Sequence, residues 1–200
     1  AVEALQYAAD MGADISSNSW GAVGSSQLLD DAVHYAHDQG MVVIAAAGNS
    51  NADALDFTPA SADRTITVAA TDYNDRKASF SNGGQKVDVA APGVDILSTR
   101  ASINNMCTEV RGNIVGTSYC YVSGTSMATP HVAGLAALIL ANNPSLTNEE
   151  VRQILRTGAA DLGLPGKDSE VGFGRISASG SLSLTTTKLL APIITSPRSR

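Results

Sequence analysis

The sequence predicts an α/β protein in which helices cover both faces of a mostly parallel sheet. Amphipathic helical stretches alternate with short apolar runs along the chain, the order expected of successive strand-helix units. The run at residues 41–47, Met-Val-Val-Ile-Ala-Ala-Ala, is apolar without alternation, and a strand of that kind must be covered on both sides. The 200 residues are 44% hydrophobic and 16% charged, which is globular usage and enough chain to bury a core.

The first nine residues read as an amphipathic helix with Ala1, Leu5, Ala8 and Ala9 on one face. No initiator methionine, basic segment or apolar signal core precedes them, and the chain is expected to lack its N-terminal part. Residues 14–20 read as a strand, 27–39 as a helix burying Leu29, Ala32, Val33 and Ala36, and 41–47 as the apolar strand closed by Gly48-Asn49. Further strands are expected at 65–70 and 86–90, with a turn at Ser81-Asn82-Gly83-Gly84 between them. From Ala91-Pro92-Gly93 the pattern is that of a long loop, up to a helix that opens near Thr125 and is apolar on every side through Ala141.

The last helix expected begins at Thr147, whose side chain and Glu150 three residues on form a capping box. It buries Val151, Ile154 and Leu155 and ends at Gly158. Residues 185–200 are rich in Thr, Ser and Pro and read as a linker or the start of a further module, leaving 1–184 as the folded unit.

The chemistry centres on Gly124-Thr125-Ser126-Met127-Ala128-Thr129-Pro130-His131-Val132-Ala133-Gly134. A serine among small residues where a loop enters a buried helix has the helix N-terminus behind it, and Pro130 fits the first turn, where an amide hydrogen is not needed. This motif closely resembles the nucleophile motif of the subtilisin-like serine proteases. The resemblance covers about residues 14–184 and implies a three-layer subtilisin-like fold with Ser126 as nucleophile.

The same resemblance implies that Asn49, after the apolar strand, donates its side-chain amide to an oxyanion hole. The Ser126 backbone N–H is the second donor. Ser19-Trp20-Gly21 is expected to pair with the backbone of an extended substrate by strand addition. Ala46, Ala47 and Gly48 are expected to wall the pocket for the residue before the cut, where small side chains leave room for a large one. Trp20 also fits a core position.

A serine hydroxyl needs a histidine to take its proton and a carboxylate to orient that histidine. The family order is Asp, His, Ser, yet no Asp-x-Gly or His-Gly-Thr motif precedes Asn49. Both partners are expected upstream of Ala1. His131 lies inside the nucleophile motif and is expected to be structural. His34 and His37 share a polar helix face with Asp30 and Asp38, a spacing compatible with a metal but more in keeping with a solvated face.

The net charge of -6, without clustered Lys and Arg, excludes nucleic acid as the main partner, and no apolar run reaches the length of a membrane span. The resemblance implies polypeptide substrates, an N-terminal propeptide inhibitor, a monomer and secretion. No cofactor is required for the chemistry. The resemblance also makes structural calcium an expectation. Asp53, Asp56, Asp63, Asp72, Asp75 and Asp88 offer carboxylates, but no Asp-x-Asp-x-Asp-Gly loop assigns ligands, which stay unknown. Cys107 and Cys120 bracket the loop before Ser126, and in a chain resembling a mostly secreted family they are expected to form a disulfide; two free buried thiols are the alternative.

The sequence therefore reads as the C-terminal part of a serine endopeptidase domain. One alternative is a pseudoprotease or binding domain of the same fold. The other is a non-proteolytic α/β hydrolase, which the missing Gly-x-Ser-x-Gly elbow disfavours.

Overall fold

A computed structural model describes residues 1–101, 107 and 113–185. Its centre is a parallel sheet of four strands, β1 (Ile15–Asn18), β3 (Val42–Ala46), β5 (Ile66–Thr71) and β6 (Val89–Pro92), in the order β1-β3-β5-β6. Two short strands, β2 (Ala22–Val23) and β4 (Phe57–Thr58), pair antiparallel beside it. A third sheet joins β7 (Ile96–Thr99), β9 (Tyr119–Val122) and β8 (Ile114–Val115), all antiparallel.

Alternation along β3 shows why its sequence is apolar throughout. Val42 and Ile44 point into the core shared with α3 (Thr125–Asn142) and α4 (Asn148–Thr157). Val43 points the other way, into the core made with α1 (Val2–Asp10) and α2 (Gln27–Asp38). One run of valines thus serves two hydrophobic layers, and a polar residue at any of these positions would be buried without a partner. The expected helix faces form as read, with Leu29, Ala32, Val33 and Ala36 of α2 all buried. In α4 the Thr147–Glu150 capping box is complete, and Gly158 is the C-cap.

Three departures from the sequence reading are physical. The expected strand 86–90 begins later, at Val89, because Val87 N–H closes a turn onto Gly84 O and Asp88 turns its carboxylate inward to Thr67 N–H at 2.8 Å. The expected long loop contains β7, β8 and β9, too short to show a period in sequence. A helix follows α4, namely α5 (Ala178–Leu184), whose Ser- and Gly-rich sequence has weak helix propensity and is fixed by the Ser177 N-cap. Thr185 ends it with its backbone O held by Asn143 Nδ2 at 3.0 Å; residues 186–200 of the expected linker lie outside the described residues.

The nucleophile-motif helix is not covered on every side as its sequence suggests. Val132, Leu135, Ala136 and Ile139 are buried, while Pro130, Gly134, Ala137, Leu138 and Ala141 form an exposed stripe. Beside it, Asp14, Ile15, Ala137, Leu140, Ala141 and Pro144 line an open groove of about 330 Å³. β1 pairs only with β3 in its sheet, so its other edge is unpaired among the described residues.

Candidate active site

The register places the chemistry at one end of the sheet. Asn18 pairs with Ala45 and Ala46 with Val68, so the residues leaving β1 and β3 emerge side by side at the carboxyl edge, where open α/β sheets form crevices. Helix α3 starts against that edge. Gly93 O accepts from Gly124 N–H at 2.7 Å, delivering the chain to the helix start.

Ser126 sits in the first turn of α3 and is half-buried. Its Oγ donates to Ser19 O at 3.1 Å, and Ser19 Oγ donates back to Ser126 O at 2.8 Å. Asn49 approaches from the end of β3. Its Oδ1 accepts from Thr125 N–H and from Thr125 Oγ1, each at 2.9 Å, while Thr125 Oγ1 accepts from Gly48 N–H at 3.2 Å. With Oδ1 committed, Nδ2 is the free end of the Asn49 amide, and a Cβ placed on Gly124 would lie 3.6 Å from it. Nδ2 makes no hydrogen bond among the described residues.

Ser19, Trp20, Gly21, Ala46, Gly48, Asn49 and Ser126 line one crevice of about 300 Å³, joined by Ala22, Phe57 and Thr125. Trp20 is 40% exposed and belongs to this crevice, not to the core. Ala47 is the expected residue that does not join it: it is fully buried against Ala54, Ala69 and Val87, because the strand alternation turns its side chain to the opposite face from Ala46. A second crevice, about 330 Å³, opens on the other side of Ser126 between Met127, Pro130 and His131 and the β7 residues Ile96, Leu97 and Ser98.

No described histidine bonds to the serine hydroxyl, although His131 lines the second crevice with it. His131 is exposed with Nδ1 against Met127 O at 2.9 Å. His37 does not lie on a solvated face; its Nε2 meets Glu149 Oε1 at 2.9 Å and its carbonyl accepts from Asn148 Nδ2 at 2.8 Å, tying α2 to α4. Burial pushes the Glu149 carboxyl up, but Arg152 and His37 outweigh it and hold it below the ordinary range. Among the described residues no His or carboxylate bonds to Ser126 Oγ.

The family model of the subtilase family matches residues 1–174. The chain belongs to the subtilase family. A thermophilic serine proteinase of Bacillus sp. strain AK1 is 44% identical over 176 residues, 88% of this chain and 39% of the relative. Subtilisin BL of Lederbergia lenta is 38% identical over 161 residues, 80% of this chain and 54% of the relative. Among solved structures, fervidolysin from Fervidobacterium pennivorans, described as a keratinolytic enzyme related to subtilisin, superposes with a TM-score of 0.79 at 34% identity, covering 91% of this chain and 28% of that one. This subtilase chain thus spans about half or less of the length of these relatives.

The carboxylates weighed for calcium are largely engaged elsewhere. Asp53 Oδ1 accepts from Leu55 N–H, Asp72 Oδ1 from the Asn74 and Arg76 amides, Asp75 binds Arg175, and Asp88 binds Arg152 and Arg156. No three His, Cys, Asp or Glu gather as a metal site among the described residues. No described helix is long and apolar enough to cross a membrane. Cys107 and Cys120 are joined as a disulfide, Sγ to Sγ 2.06 Å, which ties residue 107 to β9. Thr125, Ala22 and Phe57 were not picked out in the sequence; for Thr125 the signal was its place just before the serine, and for Ala22 and Phe57 it was absent.

Proposed function

We propose that this subtilase is a serine endopeptidase that cleaves polypeptides through an acyl-enzyme. The observation that carries the reading is the convergence of Ser126, from the start of α3, and Asn49, from the end of β3, on one crevice at the carboxyl edge of the sheet. Ser126 Oγ attacks the scissile carbonyl carbon while its proton passes to a histidine. The carbonyl oxygen becomes an oxyanion that accepts from Asn49 Nδ2 and the Ser126 N–H, donors fixed before the charge develops. The C–N bond then breaks as the histidine proton passes to the leaving amine, and water repeats the sequence on the ester.

The histidine and its aspartate are assigned to residues of the protein outside these 200, because no described His reaches Ser126 Oγ. The Ser19 carbonyl that holds Oγ at 3.1 Å is also the acceptor that an extended substrate would take by strand addition. A substrate N–H arriving there releases the hydroxyl for attack. Ala46, Gly48 and Gly21 leave the crevice wide enough for a large side chain before the cut. Residues 1–184 are read as the C-terminal part of the peptidase domain and 185–200 as a linker. We read the protein as acting outside the cell, a reading its disulfide supports, and propose that it is a monomer with a propeptide as its inhibitor.

The pseudoprotease reading is favoured by one observation, that Ser126 Oγ has no base beside it among the described residues. The experiment that separates the two is casein hydrolysis and fluorophosphonate labelling of the full-length protein and its Ser126→Ala variant. Hydrolysis and labelling that both vanish in Ser126→Ala support the endopeptidase; a folded full-length protein with neither supports the binding domain.

A further inference from the structure

We propose that Asn82 is a positioning residue for the oxyanion donor, holding the loop that carries Asn49 in its donating geometry. The inference rests on the reading of Asn49 given above and extends it to a residue outside the crevice. Asn82 is 0% exposed, and its side chain spans the loop on both sides of Asn49. Before Asn49, Asn82 Nδ2 donates to Ala47 O at 2.8 Å. After Asn49, Asn82 Oδ1 accepts from Ser50 N–H at 2.9 Å and from Ala52 N–H at 3.0 Å. Its own backbone N–H donates to Gly48 O at 2.9 Å.

These bonds account for groups that the end of a strand leaves unpaired. Past Ala46, the β3 backbone has no further register partner in β5, so Gly48 O, Ser50 N–H and Ala52 N–H need acceptors and donors from elsewhere. One buried residue supplies them, the Asn82 backbone N–H for Gly48 O and its side-chain Oδ1 for Ser50 and Ala52 N–H, and so sets where residues 47–52 turn. The turn is tight: Gly48 has a φ of +106°, and a Cβ there would fall 2.3 Å from Asn82 Nδ2. Glycine is needed both for that φ and for the approach of the Asn82 amide.

The second clamp lies across the site. Thr125 fixes Asn49 Oδ1, but a side chain held at its tip still swings if its backbone moves. Asn82 fixes the backbone, and the two together leave Nδ2 a single direction. Neighbouring ties keep Asn82 itself in place: Asn51 N–H donates to Phe80 O at 2.8 Å, Ala54 N–H to Gly83 O at 2.8 Å, and Lys77 Nζ to Ser81 O at 2.9 Å. An oxyanion donor works only when aimed at where the charge will be, and displacement by a fraction of an ångström costs rate without costing substrate affinity.

The test is a kinetic double-mutant cycle in the full-length protein, with kcat and KM measured on one peptide substrate for wild type, Asn49→Ala, Asn82→Ser and the double variant. Asn82→Ser is expected to lower kcat about tenfold with KM nearly unchanged, and to have little further effect once Asn49 is alanine. The same kcat loss in both backgrounds, a loss confined to KM, or an unchanged kcat overturns the proposal. If Asn82→Ser does not fold, Asn82→Asp is measured instead. It is isosteric, keeps an acceptor for Ser50 and Ala52, and converts the bond to Ala47 O into a repulsion, with the same pattern expected. Full kcat in Asn49→Ala alone would remove Asn49 from the chemistry and so strike the parent reading, whereas a loss there that is additive with Asn82 strikes only the positioning role.

Discussion

Thr125 gives both its backbone N–H and its hydroxyl to Asn49 Oδ1, each at 2.9 Å. Two donors on one acceptor settle which end of the amide faces the protein and which faces the crevice, and they do so from the residue immediately before the nucleophile. The nucleophile and its oxyanion donor are thereby tied to one helix start, so a movement of α3 carries both together.

Asn49→Ala in the full-length protein is expected to lower kcat about 100- to 1,000-fold with KM little changed, a range taken over from subtilisin itself, where loss of one such donor has this effect. Thr125→Val keeps the backbone donor and removes the hydroxyl, and a drop of about tenfold is expected, the size of one hydrogen bond. Steady-state kinetics on a peptide substrate check both. Full activity in Asn49→Ala would take that residue out of the mechanism.

Much of this was legible in the sequence where a local rule acts alone. The capping box at Thr147 and Glu150, the buried stripe of α2 and the apolar run of β3 are set by neighbours in the chain, and each forms where it was read. The serine motif and the Gly48-Asn49 strand end were also legible, because resemblance marks them. What was not legible depends on partners distant in sequence. Strands β2 and β4 have two residues each and exist only because they meet one another. Ala47 looks like its neighbour Ala46 until the sheet faces are known. Asn82 reads as a turn residue, and only the fold shows that its amide reaches residues 47, 50 and 52.

The disulfide predicts a protection pattern. Cys107 and Cys120 are both buried and bonded, so alkylation without reductant is expected to add no mass at either residue, and the thermal midpoint should fall on reduction. The loop-closure model gives about 3 kcal/mol for a ring of this size. Alkylation of both thiols in the unreduced protein would exclude the bond.

Lys86 predicts a stability that rises on the alkaline side. Burial pushes its ammonium down from 10.5 to about 8, with Arg152 and Arg156 acting in the same direction against Asp88 and Asp63. Between about pH 8 and 10.5 the unfolded chain holds a proton that the folded protein has released, so stability increases with pH through that window and this contribution is flat below it. Lys86→Met should remove the rise. Urea unfolding of the full-length protein and the variant at pH 7 and pH 10.5 is the measurement, and a stability difference equal at the two pH values would refute the assignment.

The 200 residues taken alone are expected to be proteolytically dead and at best marginally folded. Ser126 Oγ donates to a carbonyl and not to a base, and a serine hydroxyl of ordinary acidity does not attack a peptide at neutral pH. In subtilisin itself, from which the figure is taken over, loss of the serine or the histidine costs about a million-fold in kcat. The stripe Pro130, Gly134, Ala137, Leu138 and Ala141, the groove beside it and the unpaired edge of β1 together form an apolar surface and a strand template. Such surfaces favour association when left open. Expression of residues 1–200, with casein assay, fluorophosphonate labelling and thermal unfolding, tests both halves of the expectation. Stoichiometric labelling of Ser126, or turnover abolished by Ser126→Ala, would mean that a residue within this segment serves as base and would overturn the assignment of the histidine to other parts of the protein. A cooperative melt with neither labelling nor turnover would show that the uncovered α3 stripe needs no partner, and would move the balance toward a self-sufficient binding domain.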